Sequence, residues 1–167
     1  MTYLEIDKAL IEILGEKKRA CEARLAATPK ENKTEKKAVH LELGMYTLCQ
    51  NAGFLINTTG GREGVIRTRI TVISRILEKH SDLKATFEAL SAEEQAEWIA
   101  AWQAELFLRD QFLPQYRGEL ESATKAGDAD GILEMRIKIG TLENVFGAWE
   151  AWRRENNVFP GLLEEKA

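Results

Sequence analysis

Proline, cysteine and histidine are all scarce in this chain of 167 residues, at three, two and two. With so few prolines and an abundance of Ala, Leu, Glu and Lys, helix is the favoured local state. The two cysteines, Cys21 and Cys49, both fall within helical patterns. They exclude a disulfide framework and point to a reducing, cytoplasmic setting. Two histidines and two cysteines on different helices do not make a zinc set, and the chain has no Cys-x-x-Cys, His-Glu-x-x-His or Glu-x-x-His. No metal and no cofactor is therefore expected. The N-terminus Met-Thr-Tyr-Leu-Glu-Ile-Asp-Lys places charges where a secretory leader needs apolar residues. No apolar run reaches the roughly 20 residues of a membrane span, so a membrane partner is not expected. The formal net charge of −4 is too mild to name a partner by itself.

What the chain does have is one stretch, Ala38 to Thr59, that is apolar almost all the way round a helix. At about 100° per residue, Val39, Leu43, Tyr46 and Phe54 fill one side. Leu41, Met45, Leu48, Cys49, Ala52, Leu55 and Ile56 fill most of the rest. Such a helix belongs inside a bundle, and truncating Leu48 there should behave as a core truncation. One narrow polar line interrupts it: His40, Gly44, Thr47 and Asn51, spaced i, i+4, i+7, i+11.

Around this stretch the chain reads as an all-α, single-domain helical bundle of five to seven helices over residues 1–167. Thr2 with Glu5 forms a capping box that opens a helix ending near Ala27, with Leu10, Ile13, Leu14, Cys21 and Leu25 as its apolar set. Pro29 marks the turn that follows. A third helix is expected from about Glu63 to Lys79, although the alternation from Val65 to Ile73 also allows a strand. Ser81 to Leu90 is a short helix. Ser91 with Glu94 is a second capping box, and its helix reaches Leu113, where Pro114 kinks or restarts it. Gly127 suits a helix C-terminus. A last helix runs from about Asp130 to Asn156, and the tail from Val158 to Leu163 is expected to fold back over the bundle end.

Charge is unevenly spread. Residues 60–80 carry five basic and two acidic side chains, and residues 81–113 two basic and seven acidic. Neighbouring helices with complementary faces explain this most simply. The glycine-rich loop Gly60–Gly64, with Arg62, Arg67 and Arg69 nearby, is a candidate anion-accepting patch. Arg109 lies in the apolar stripe of Trp98, Ile99, Trp102, Leu106 and Leu113. A buried arginine must be paired, so Glu105 is the expected partner, with Trp102 offering its ring face. On the last helix, Gly140 and Gly147 would let a neighbour approach closely, and Glu150 pairs with Arg154. Trp98, Trp102 and Trp149 read as core. Trp152, Phe159, Phe107 and Leu108 read as exposed apolar contacts. Ser122-Ala123-Thr124-Lys125 lacks the companion motifs of a serine enzyme. The loop Asp128-Ala129-Asp130-Gly131 places Ala126 and Ile137 where a calcium loop needs ligands.

These features favour a non-catalytic protein–protein interaction module, an adaptor, inhibitor or accessory subunit of the kind phages and mobile elements encode. Its expected partner is a larger protein, with self-association as a homodimer through the end bearing Trp152 and Phe159 as a second expectation. One alternative is a nucleic-acid-proximal subunit touching phosphates through the basic 60–80 segment, which the acidic net charge disfavours. The other is a small-molecule sensor or enzyme built on the line of His40, Thr47 and Asn51.

Overall fold

Both capping boxes form, and each sets a helix start. The Thr2 hydroxyl accepts from the Glu5 amide at 3.3 Å while the Glu5 carboxylate accepts from the Thr2 amide at 2.9 Å, opening α1 (Tyr3–Ala27). The Ser91 and Glu94 pair does the same for α5 (Ala92–Gln111). The chain is described by a computed structural model over residues 1–54 and 70–163. Between α1 and α5 lie α2 (Lys33–Phe54), a helical stretch α3 at residues 70–77, and α4 (Ser81–Glu88). Then come α6 (Leu113–Ala126) and α7 (Ala129–Asn156). No strand occurs among the described residues.

Helix α2 begins earlier than its apolar pattern. Asn32 Oδ1 accepts from the Glu35 amide at 3.2 Å, so the cap starts the helix before the first apolar residue. The expected extension to Thr59, and the side chains of Phe54, Leu55 and Ile56, lie outside the described residues. So do Gly60 and Gly61 and the expected start of α3 near Glu63. Where α3 is described it is helix and not strand, with Ile73, Ile76 and Leu77 buried. Pro114 restarts the chain, standing in the first turn of α6 where its missing amide has no role. Gly127 closes α6 at φ +67°, a left-handed conformation that favours glycine.

Short turns make α1 with α2, and α6 with α7, antiparallel neighbours. Helix α2 packs on α1, α5 and α7, and α5 packs on α1, α2, α4 and α6. The deepest helix is α5, with Trp98, Ile99, Ala100, Ala101, Trp102, Gln103, Glu105, Leu106 and Leu108 all buried. The apolar stretch of α2 therefore does not make it the most buried member. Leu41, Leu43 and Leu48 are only half-buried, while Val39, Met45, Tyr46, Cys49 and Ala52 carry its inner face. The Trp149 indole donates to the Leu10 carbonyl at 3.2 Å and ties α7 to α1. Both cysteines are free and buried. Burial pushes the Cys49 thiol up to about 12, so it stays protonated and unreactive.

One contact between the basic and acidic segments falls among the described residues. Lys79 Nζ lies 3.0 Å from Asp110 on α5. Burial alone would raise the Asp110 carboxyl, but hydrogen bonds from Lys79 and Gln111 outweigh it and hold it below the usual carboxylate range. A depressed carboxylate stabilises the fold above its unfolded pKa and loses that contribution as pH falls through the folded value. Asp110→Asn should therefore cost up to about 1 kcal/mol at neutral pH, given how exposed Lys79 is, and that cost should fade as pH falls below the unfolded carboxylate value of about 3.9 and through the lower folded one. Urea unfolding of both proteins across pH checks this, and an equal loss at acid pH would refute it.

Candidate functional site

The densest polar cluster sits where α5, α7 and the C-terminal tail meet. Arg153 on α7 is fully buried, with 0% exposure. Its Nη1 donates to the Ala101 carbonyl at 3.0 Å and its Nη2 to Glu105 Oε1 at 2.6 Å. Its Nε donates to Glu150 Oε2 at 3.0 Å, and the guanidinium lies 3.6 Å from the centre of the Trp102 ring. Helices α5 and α7 are thus joined by long side chains rather than by close backbone approach. Glu105 spends its second oxygen on Arg109 Nε at 2.9 Å. Glu150 Oε1 holds Arg154 Nε at 3.2 Å and also accepts the Gly161 amide.

The tail is fastened to the same cluster. Asn157 at φ 53° ends α7, and the Val158 amide donates back to the Arg153 carbonyl at 2.8 Å. Phe159 then adopts φ 45°, a strained backbone for an aromatic residue. Its carbonyl accepts from the Trp102 indole at 2.8 Å, which offsets the strain. Val158 is buried, and Phe159, Leu162 and Leu163 pack against the core. The tail folds back as its composition led us to expect.

Beside this cluster lies an open cleft of about 310 Å³, lined in part by Trp102, Arg109, Phe146, Gly147 and Leu163. Arg109 is 39% exposed. Its guanidinium stands 4.3 Å from the Phe146 ring centre, and Glu105 is its only hydrogen-bond partner among the described residues. The terminal nitrogens of Arg109 are the cleft's free donors.

Several expectations need correction. Arg109 does pair with Glu105, but its aromatic face is Phe146; Trp102 is covered by Arg153 instead. Leu108 is fully buried rather than exposed. Trp152, Phe159 and Phe107 are half-buried against the core, so the expected apolar surplus at that end is largely covered within one chain. Among the described residues no atom lies within 4 Å of a Cβ built at Gly140 or Gly147, so neither meets the close neighbour expected of it. Trp98, Trp102 and Trp149 are core as expected. His40, Gly44 and Asn51 are exposed on the outer side of α2, and the half-buried Thr47 donates its hydroxyl to the Leu43 carbonyl at 3.2 Å. The line faces solvent and lines none of the clefts described. Arg62, Arg67 and Arg69, with the Gly60–Gly64 loop, lie outside the described residues. Of the remaining basic groups in that segment, Arg75 is exposed and Lys79 is engaged by Asp110.

Sequence reasoning passed over Arg153, the centre of the cluster. The signal was present, because Arg153 continues the apolar series Leu142, Phe146 and Trp149 at helical spacing, the same pattern that singled out Arg109. No helix among the described residues is long and apolar enough to cross a membrane. No protein-family model matches the chain, and no curated protein or solved structure matches it.

Proposed function

We propose that this protein is a non-catalytic interaction module that binds a larger protein through the cleft between α5, α7 and the tail. One observation carries the reading. The charged groups at the cleft base are committed to one another, and what faces outward is chemistry for holding a chain. Glu105 and Glu150 are each engaged on both oxygens, and all three nitrogens of Arg153 are occupied. Of the carboxylates lining the cleft only Glu143 stands outside this network, exposed at the rim and 4.0 Å from Arg117, so none at the base is left poised as a general base. The outward features are the free donors of Arg109, the Phe146 ring and the flat, side-chain-free position at Gly147. An arginine held against an aromatic ring, with an apolar floor, is a common anchor for a partner's carboxylate and its neighbouring apolar side chain. In this reading the protein works in the cytoplasm as an adaptor, inhibitor or accessory subunit, where both thiols stay reduced.

Filling the cleft tests the proposal without touching its base. Space is open at Gly147, so Gly147→Arg should fold normally and gain up to about 1 kcal/mol from lost chain flexibility. Gly147→Ala serves as the control. Affinity capture from the source cell should recover a partner with wild type and Gly147→Ala and lose it with Gly147→Arg. A partner held equally by all three proteins would place the interface elsewhere.

A further inference from the structure

The outer face of α2 carries a feature distinct from the cleft. Residues 17–37, the end of α1 and the start of α2, hold eight basic and three acidic side chains in a chain of net charge −4. Arg24 is taken by Glu35 and Glu42. Lys30, Lys33, Lys36 and Lys37 make no ion pair among the described residues. On the helix, Lys33, Lys36 and Lys37 share an arc of about 100° with His40, Gly44, Thr47 and Asn51. Lys33, Lys37, His40, Gly44 and Asn51 are all exposed. The carboxylates of α2, Glu35 and Glu42, lie on the opposite side and face Arg24. A solvent-facing stripe about 27 Å long therefore presents lysines at one end and the exposed His40 and Asn51 further along, with no carboxylate in it.

We infer that this stripe is a docking surface for the phosphate backbone of a nucleic acid. Its lysines, from Lys33 to Lys37, span about 6 Å along the helix, within one Debye length at physiological salt, so they act on an anion together. The positive end of the α2 dipole lies under them. Lysine and Asn side chains are among the usual phosphate and sugar contacts that position a protein without reading sequence. Gly44 leaves open space for a backbone to approach. An acidic protein is the weaker match because a protein interface needs an apolar centre, and Leu41, Leu43 and Leu48 are half-buried beside the stripe rather than in it. Asp130 and Glu134 of α7 border it on the flank of Lys37, where Glu134 is held by Lys138 at 3.2 Å. Those carboxylates and the acidic remainder of the chain make the binding modest, salt-sensitive and independent of sequence.

The test uses the full chain and a fluorescent DNA duplex of about 20 base pairs of arbitrary sequence, starting near 50 mM salt. Wild type should bind, with affinity falling against salt at a logarithmic slope of roughly −3 for three phosphates. Lys33→Glu with Lys37→Glu should weaken binding more than tenfold and reduce the slope by about 2, with an unchanged melting temperature. Because both lysines are exposed, the fold should tolerate them; Lys33→Gln with Lys37→Gln provides a milder second variant. Lys8→Glu with Lys84→Glu, an equal charge change on other exposed positions, should leave most of the affinity. Absence of binding, an equal loss in the two charge-reversed proteins, or tighter binding to poly-glutamate than to the duplex would each overturn the inference.

Discussion

Arg153→Met is expected to destabilise the protein by about 3–5 kcal/mol, because it strands a buried carboxylate. Glu105 is 2% exposed and depends on Arg153 at 2.6 Å for one oxygen and on Arg109 for the other. Removing Arg153 also uncovers Trp102, strips the Ala101 carbonyl of its side-chain donor and leaves Glu150 Oε2 without its donor. Against a total stability of about 5–15 kcal/mol, that loss is large. Replacing both partners, Arg153→Met with Glu105→Leu, should recover much of it, since apolar residues of similar size often equal a buried ion pair. Urea unfolding of the three proteins measures the difference. A single mutant that loses less than about 1 kcal/mol, or a double mutant no better than the single, would show that the pair is not the clamp between α5 and α7.

Leu108→Ala should cost about 2–5 kcal/mol, the range for truncating a fully buried leucine, while Leu48→Ala should cost less, about 1–2 kcal/mol, because Leu48 is only partly buried at the core's edge. Leu108 has no exposure, and Leu48 on α2 is half-buried. The contrast inverts the order that the apolar patterns of the two helices imply. Equal losses at both positions would restore α2 as the equal of α5 in the core.

The starts and stops of helices were legible because they depend on residues close in sequence. Thr2 with Glu5, Ser91 with Glu94, Pro114 and Gly127 each act within one turn, and each does so here. The Arg109–Glu105 pair was legible for the same reason, being one turn apart. The start of α2 was missed because residues 33–37 are polar and the apolar period is silent there. The lysine stripe escaped notice with it, since its meaning depends on which side of α2 faces outward.

The candidate cleft was readable only in part. Arg109 was visible as a charge inside an apolar stripe. Its ring partner was not, because Phe146 comes from a helix that begins well after α5 has ended. Arg153 joins residues 48 and 52 positions away, and Trp102 finds its acceptor 57 positions on in the tail.

The sequence by itself determined an all-α chain, most helix boundaries, the burial of three tryptophans and a tail that folds back. Those follow from local hydrogen bonding and the helical period, which operate over a few residues. Tertiary structure alone decided that α5 is the deepest helix, that Leu108 is core and Leu48 is not, and that Arg153 is the ion holding α5, α7 and the tail together. A helix with apolar residues on several sides can turn any of them inward. Which one it buries is set by the neighbours that cover it, and those neighbours are distant in sequence.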